Sequence, residues 1–217
     1  MTVFDQLANN PLIPVLVIDD PEHAVPVAEA LLAGGVSALE VTLRTTAALD
    51  VVERMARALP EAIVGVGTVL RAEQFAEARD AGARFAVSPG LSEKLAAAAG
   101  QSGMPWLPGA VTASEMIMAL ELGIGDVKFF PASIAGGAPA LKGFSSVFPD
   151  LRFCPTGGVN AGNMADYLRL PNVKAVGGSW LVTPELLANR DWAQITRLAG
   201  EALAVAAELG RRRSDLP

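Results

Sequence analysis

The feature that most constrains the fold of this chain is a short apolar segment that recurs along its length. Eight such segments follow one another at intervals of about 20 to 26 residues, the length of a strand, a loop and a crossover helix. Their length and apolar character indicate buried strands. The predicted strands are Leu12–Ile18, Ala38–Thr42, Ile63–Val66, Arg84–Val87, Pro105–Leu107, Asp126–Phe130, Leu151–Cys154 and Val173–Val176.

The stretches between these strands carry Ala and Leu at helical spacing. Asp20-Pro21-Glu22 is a helix start, with a capping oxygen, a proline in the first turn and an acid at the positive end of the helix dipole. Gly34-Gly35 and Gly123 stand where helices should end. The helices predicted in this way include Val25–Leu32, Ala47–Leu59, Ala72–Ala81, Glu93–Ala99 and Ala113–Leu122.

Eight strand-then-helix units in order predict an α/β fold, a closed (β/α)8 TIM barrel. No linker or low-complexity stretch divides the chain, so we expect one domain over residues 1–217. An extra helix is predicted before the barrel, from Val3 to Ala8, and a long helix should close it, from Trp192 to Leu209. The alternative is an open doubly wound sheet, but no GxGxxG motif follows the first strand.

Composition narrows the class of protein. Of 217 residues, 51% are hydrophobic and 18% are charged, which predicts a large core and apolar surface patches of the kind found at subunit contacts. The net charge of −6 argues against a nucleic-acid partner. The apolar run Leu12–Ile18 is too short for a membrane span. Since Cys154 is the only cysteine, no internal disulfide can form, and we expect a cytoplasmic protein with no membrane partner.

In a parallel barrel, ligands bind at the carboxyl ends of the strands, so polar residues there are candidates for function. Lys128 lies toward this end of the sixth strand and is followed by aromatic residues. Burial and nearby cations favour the neutral amine, which attacks carbonyl groups. Of the four lysines, Lys94 and Lys142 fall in predicted helices and Lys174 at the start of a strand. The alternative for Lys128 is a structural pair inside the barrel.

The second strand ends with a candidate acid. Strand alternation places Glu40, Thr42 and, if the extended conformation persists, Arg44 on the inner side. A carboxylate near Lys128 could move protons, and an arginine at the strand end could bind a substrate carboxylate through its planar fork. The alternative is a Glu40–Arg44 ion pair with no catalytic task.

The last two strands end in glycine pairs. Thr156-Gly157-Gly158 follows strand seven, and Gly177-Gly178-Ser179 follows strand eight. Glycines let backbone N–H groups converge on an anion, and in this architecture the loops after strands seven and eight form the common phosphate site. Thr183–Leu187 is a candidate for its short helix. The alternative for both glycine pairs is a tight turn.

Metal ligands are scarce. With one histidine, His23, and one cysteine, Cys154, a catalytic divalent ion would need carboxylates and carbonyls, and no DxD-like cluster is present. We therefore expect no metal and no other cofactor. This expectation favours covalent chemistry on a lysine over chemistry on a metal ion.

Taken together, these segments resemble the bacterial 2-keto-3-deoxy-6-phosphogluconate (KDPG) aldolases. The resemblance runs from about Pro11 to the C-terminal helix. It implies cleavage of that phosphorylated sugar acid to pyruvate and glyceraldehyde 3-phosphate in the Entner–Doudoroff pathway, related activity on 4-hydroxy-2-oxoglutarate, and a homotrimer. The matching motifs are Leu39-Glu40-Val41-Thr42-Leu43-Arg44-Thr45, Gly67-Thr68-Val69-Leu70, Ser88-Pro89-Gly90-Leu91, Lys128-Phe129-Phe130-Pro131-Ala132, Pro155-Thr156-Gly157-Gly158 and Gly177-Gly178-Ser179-Trp180-Leu181.

The resemblance also implies roles for individual residues. Lys128 matches the Schiff-base lysine and Glu40 the general acid and base. Arg44, Thr68 and Pro89 match groups around the pyruvate moiety, with Arg44 on its carboxylate.

Further along the substrate, Phe130 matches the aromatic residue beside the lysine and Thr156 the threonine near the keto-acid end. The phosphate cradle is matched by Gly157, Gly158, Gly178 and Ser179. This sequence departs from the family at Ser133-Ile134-Ala135, where many relatives carry an acid, and at Pro108–Thr112. Both departures leave the preference among aldehydes open. The sequence also does not rank gluconate against galactonate stereochemistry at C4, because that choice depends on the fine geometry of the pocket. Two other classes remain open as well, a phosphosugar isomerase or epimerase and a non-catalytic phosphoester-binding protein.

Overall fold

A computed structural model describes residues 3–7 and 10–214 of the chain, and within them parallel strands alternate with helices. The strands are β1 Leu12–Leu16, β2 Ala38–Thr42, β3 Ile63–Gly67, β4 Ala86–Val87, β5 Trp106–Leu107, β6 Asp126–Phe129, β7 Arg152–Pro155 and β8 Val176–Gly178. The helices are α1 Val3–Gln6, α2 Ala24–Ala33, α3 Ala48–Ala58, α4 Glu73–Asp80, α5 Glu93–Ser102, α6 Ala113–Glu121, α7 Gly137–Val147, α8 Met164–Leu168, α9 Pro184–Asn189 and α10 Trp192–Ser214, with a 3-10 turn at Pro21–His23.

The strands form a curled parallel sheet of six strands, in the order β5-β4-β3-β2-β1-β8, and a two-stranded sheet of β6 and β7. Isolated bridges join the two sheets, between Gly109 and Lys128 on one side and between Thr156 and Gly177 on the other. The strand order excludes the doubly wound alternative. In that fold the order reverses at β1, and the strand on its far side comes from the middle of the chain. Here β2 to β5 follow one another on one side of β1, and the last strand, β8, pairs with β1 on the other side.

The sheet separates two apolar clusters. The outer cluster packs between strands and helices, and the inner cluster consists of Leu7, Ile13, Ala38, Phe85, Val87, Leu107, Cys154 and Ala175. Strand β2 shows the alternation: Leu39 and Val41 belong to the outer cluster and Ala38 to the inner one. Since side chains alternate along a strand, Glu40 and Thr42 face inward. The expected inward direction of these two side chains is confirmed.

Capping side chains hold the helix that leads into β6. At the start of α6, the Thr112 hydroxyl accepts a hydrogen bond from Glu115 N at 3.3 Å, and the Glu115 carboxylate accepts from Thr112 N at 2.8 Å and Val111 N at 3.0 Å. This reciprocal capping box satisfies N–H groups that the helix itself cannot pair. It fixes where α6 begins after β5.

Several predicted boundaries differ from the structure, most of them by one or two residues. Strand β8 begins at Val176, not at Val173, because Val173 makes only an isolated bridge to Phe153 and pairing with β1 starts at Leu12 opposite Val176. The first helical turn is Val3–Gln6, and Ala8, the predicted end, lies outside the described residues. The last helix runs to Ser214, beyond Leu209. None of the helices in the described part of the chain combines the length and apolar character that a membrane span needs.

Candidate active site

The inner face of the sheet carries buried polar side chains above the inner apolar cluster. Glu40 is 2% exposed, Lys128 6% and Thr156 5%. On β6, Val127 and Phe129 belong to the outer cluster, so Lys128 points inward by the same alternation that turns Glu40 inward. Two strands that are distant in sequence therefore bring an amine and a carboxyl group into one interior space.

Lys128 and Glu40 form an ion pair in that space. Lys128 Nζ donates to Glu40 Oε1 at 3.1 Å, and the two side chains are 7% and 3% exposed. Burial of a charge is costly unless it is paired, so each group makes the burial of the other tolerable. The alternative of a Glu40–Arg44 pair is wrong, because the cation on Glu40 is Lys128.

The surroundings of Lys128 set it apart from the other lysines. Lys94, Lys142 and Lys174 are exposed, as expected for the first two from their predicted helices. Lys128 Nζ lies 5.2 Å from the centre of the Phe130 ring, close enough for a cation–π contact. Phe130 is half-buried and forms a wall beside the amine.

Arg44 lies just beyond the end of β2 and is exposed. Its Nε donates to the Thr42 hydroxyl at 3.2 Å, and that hydroxyl donates to Leu16 O at 2.9 Å. Thr42 is 1% exposed, so a buried anchor on β1 fixes the base of the Arg44 guanidinium. Sequence reasoning placed Thr42 inside but missed this hydrogen-bonded anchor, which depends on how β1 and β2 lie side by side.

Thr68 and Pro89 follow β3 and β4. Thr68 has a φ of 62°, a left-handed conformation that is uncommon for a β-branched residue and is found where the surroundings enforce it, often at functional sites. Pro89 is half-buried next to Ser88, whose hydroxyl accepts from Trp106 Nε1 at 3.0 Å and donates to Gly90 O at 2.6 Å. These bonds fix the turn that presents Pro89, and Ser88 was not singled out from the sequence.

The loop after β7 joins the loop after β6. Thr156 O accepts from Ala132 N at 2.8 Å, and Gly157 O accepts from Ser133 N at 3.0 Å. Gly157 and Gly158 have φ values of 93° and 78°, a region that favours glycine. The backbone conformation itself therefore calls for glycine at both positions. The turn sits at the carboxyl end of the strands, on the same side as Lys128.

The glycine pair of β8 is different. Gly178 is buried in the strand opposite Pro14, and a side chain on it would meet the Trp180 ring at 1.9 Å. Gly178 therefore makes room for an indole, while Ser179 after it is exposed. The short helix expected at Thr183–Leu187 is α9, whose cap is the Thr183 hydroxyl.

Cys154 lies on β7 opposite Lys128 and belongs to the inner apolar cluster. Burial raises the pKa of its thiol to about 12; the Glu40 charge acts in the same direction and the Lys128 charge opposes it. The thiol is therefore protonated at neutral pH, which agrees with its expected role as a small core residue.

A cavity of about 660 Å³ lies at the opposite end of the strands from the candidate site, and its lining includes Asn10, Arg152 and Lys174. Arg152 there is paired with Asp126 at 2.6 Å, an ion pair at the amino ends of β6 and β7. The candidate site is defined instead by a buried amine, an adjacent acid and an exposed guanidinium.

Comparison with known proteins identifies relatives that cover most of the chain. A KHG/KDPG aldolase of Escherichia coli (strain K12) is 49% identical over 197 residues, which cover 91% of this chain and 92% of that protein. A KDPG aldolase from Legionella pneumophila, solved with pyruvate captured at low pH as a covalent carbinolamine intermediate, has a TM-score of 0.89 at 47% identity and covers 92% of this chain and 97% of that chain.

The aldolase of Zymomonas mobilis ZM4, solved with 3-phosphoglycerate, has a TM-score of 0.87 at 45% identity and covers 92% of this chain and 94% of that chain. A family model described as KDPG and KHG aldolase matches residues 3–198. From this match and the identities of its relatives, the chain belongs to the KDPG and KHG aldolase family.

Proposed function

We propose that this chain is a class I aldolase that cleaves KDPG to pyruvate and glyceraldehyde 3-phosphate, with a secondary activity on 4-hydroxy-2-oxoglutarate (KHG). The observation that carries this proposal is the buried contact of 3.1 Å between Lys128 Nζ and Glu40 Oε1 in a chain of this family. The covalent pyruvate carbinolamine of the Legionella pneumophila relative supports attack by an amine on a keto acid.

The pair supplies both groups that imine formation needs. Transfer of one proton from Lys128 to Glu40 leaves a neutral amine and a carboxylic acid. The amine adds to the C2 carbonyl of the substrate, and the acid returns its proton to the carbinolamine hydroxyl, which leaves as water. The result is a protonated imine on Lys128 and a carboxylate on Glu40.

Cleavage then uses the imine as its electron sink. As the C4 hydroxyl loses its proton to Glu40, through a water molecule where the distance requires it, the C3–C4 bond breaks and its electron pair moves toward the imine nitrogen. The aldehyde leaves and an enamine remains. Glu40 delivers a proton to C3, and hydrolysis of the imine releases pyruvate and restores the amine. No step requires a metal, because the protonated nitrogen accepts the electrons.

The remaining site residues hold the substrate in this proposal. Arg44 binds the carboxylate of the keto acid. Its Nε is held by the Thr42 hydroxyl, and its two terminal guanidinium nitrogens donate to the substrate. Thr68 and Pro89 enclose the pyruvate moiety, Phe130 shapes the space beside Lys128, and Thr156 lies near the keto-acid end. The phosphate is held by backbone and side-chain donors of Gly157, Gly158, Gly178 and Ser179.

The 3-phosphoglycerate bound by the Zymomonas mobilis relative supports a phosphorylated substrate. Binding of the phosphate and the carboxylate at separate points would align the C3–C4 bond with the imine.

We propose that residues 1–217 form a single closed (β/α)8 barrel with an additional helix before β1. The bridges at Lys128 and Thr156, which join the two sheets, support closure. We further propose a cytoplasmic homotrimer in the Entner–Doudoroff pathway. Large apolar side chains that are exposed on α6 support assembly, since such patches are typical of subunit contacts. They are Ile117, Met118, Leu120 and, at the helix end, Leu122.

A coupled assay for pyruvate tests the activity. KDPG should be cleaved fastest and KHG more slowly, with the galactonate epimer measured beside them, and a chelator should leave the rate unchanged. Lys128→Arg should abolish cleavage, whereas Lys142→Arg, at an exposed position, should retain it. An isomerase or epimerase would convert a phosphosugar without releasing pyruvate, and a binding protein would hold a phosphoester with no turnover. Either result would refute the proposal.

A further inference from the structure

We propose that Gly67 is a positioning residue. Because Gly67 has no side chain, it leaves a space, here called the seat, in which the Glu40 carboxylate lies in contact with Lys128. This inference rests on the proposed catalytic role of Glu40 and deepens it. Gly67 is the last residue of β3. The three heavy atoms nearest to a Cβ at residue 67 all belong to Glu40, so Gly67 acts through the position of one acid.

Register explains how Glu40 reaches Gly67. Glu40 pairs with Gly65 across β2 and β3, and Thr42 pairs with Gly67. On β3, Val64 and Val66 belong to the outer cluster, so the two glycines face inward. The Glu40 side chain therefore leans along the strands from the level of Gly65 to the level of Gly67, toward the carboxyl ends.

The space above Gly67 is filled by the carboxylate. A Cβ atom on Gly67 would lie 2.1 Å from Glu40 Oε1 and 2.8 Å from both Cδ and Cγ. Contacts this short do not occur, so any side chain at residue 67 would displace Glu40. The oxygen at 2.1 Å is the one that accepts the hydrogen bond from Lys128 Nζ. Displacement therefore acts directly on the contact that carries the proposed chemistry.

The fold can absorb an alanine at residue 67. The φ of Gly67 lies outside the left-handed region, so the backbone tolerates a side chain. The atoms that would clash belong to the end of a flexible side chain and not to the backbone. The low-energy response is rotation of Glu40 away from Cβ, which keeps the strand and separates the acid from the amine.

Gly65 is a matched control on the same strand and the same face. A Cβ atom there would meet the Phe85 ring at 2.4 to 2.5 Å, in the inner apolar cluster below the acid. Gly65→Ala thus introduces the same methyl group and a clash of similar size, but against an apolar ring. A role in packing alone predicts similar behaviour of the two variants, whereas the positioning role predicts a difference in proton transfer.

The test compares wild type, Gly67→Ala, Gly65→Ala, Glu40→Asp and the double variant Gly67→Ala/Glu40→Asp. Two readouts are used: kcat and KM for KDPG cleavage, and exchange of the pyruvate methyl protons for deuterium, which reports proton transfer at C3 of the enamine. A misplacement of about 1 Å can cost about 100-fold in rate. Gly67→Ala should lower kcat and the exchange rate by about that factor, with a smaller change in KM. Gly65→Ala should lower the free energy of unfolding and leave the exchange rate closer to that of wild type.

The double variant tells whether Gly67 acts through Glu40. Aspartate is one methylene shorter and does not reach over residue 67, so in the Glu40→Asp background the alanine should lower the rate by less than about threefold. A Gly67→Ala protein that fails to fold while the double variant folds would also support the seat. Wild-type exchange in Gly67→Ala, an equal loss in both backgrounds, or failure of both variants to fold would overturn it.

These outcomes are distinct from failure of the proposed function. A wild-type protein that neither releases pyruvate from KDPG nor exchanges pyruvate protons refutes the aldolase activity itself. An active wild type with an equally active Gly67→Ala variant refutes only the role of Gly67.

Discussion

Replacement of Lys128 by methionine should destabilise the protein as well as inactivate it. The variant leaves the Glu40 carboxylate, whose side chain is 3% exposed, without the cation that contacts it at 3.1 Å. Removing one partner of a buried ion pair costs about 3 to 5 kcal/mol, because the remaining charge is uncompensated. We expect a loss of that size in the free energy of unfolding, measured by urea denaturation at neutral pH.

Two further variants separate this electrostatic cost from a loss of packing. The double variant Lys128→Met/Glu40→Met buries no charge, so it should recover most of the lost stability, whereas Lys142→Met, at an exposed position, should change stability by less than about 0.5 kcal/mol. A single variant as stable as wild type, or a double variant as unstable as the single one, would refute this reasoning.

Three further predictions concern residues around the site. Thr42→Val removes the hydroxyl that holds Arg44 Nε, and KM for KDPG should rise at least about tenfold with less effect on kcat in steady-state kinetics; an unchanged KM would contradict this. Cys154, whose thiol pKa burial raises to about 12, should not react with thiol reagents until the protein unfolds, and rapid labelling of the native protein would show the opposite. Burial opposes ionisation of Glu115, but hydrogen bonds from the backbone N–H groups of Val111 and Thr112 outweigh it and lower its pKa below the ordinary value of 4.5. The contribution of the Glu115 carboxylate to stability is therefore present above that value and lost as the pH falls through the folded-state pKa. Glu115→Ala should lower the free energy of unfolding in urea by about 1 kcal/mol at neutral pH and by less in acid, with Glu115→Gln as the control. An equal loss at both pH values would count against the capping role.

The strands and the inward acid follow from local patterns. Apolar runs at regular intervals predicted the eight strands, and the period of two along β2 placed Glu40 and Thr42 inside. Lys128 was conspicuous because a lysine within a buried strand needs a partner. Its burial is confirmed, since it is 6% exposed and the other three lysines are exposed.

Contacts between strands could not be predicted in the same way. The anchor from Arg44 through Thr42 to Leu16 depends on the register of β1 against β2, and the seat of Glu40 over Gly67 depends on the register of β2 against β3. Neither register leaves a periodic signal in one sequence.

Glycine was the residue whose purpose was hardest to infer. From sequence, both glycine pairs predicted an anion site. The structure shows positive φ at Gly157 and Gly158, whereas Gly178 accommodates the Trp180 ring and Gly67 accommodates a carboxylate. A glycine required by its own φ and a glycine required by its neighbour look identical in a sequence, because the neighbour can lie far away along the chain.

The central claim is that Lys128 forms an imine with a keto acid, and borohydride reduction in the presence of pyruvate tests it most directly. Reduction converts an imine into a stable secondary amine, so the intact mass should increase by one reduced pyruvate and peptide mapping should locate it on Lys128. Lys128→Arg should show no adduct under the same conditions. A protein that cleaves KDPG but gains no mass, or that carries the adduct on another lysine, would contradict the account.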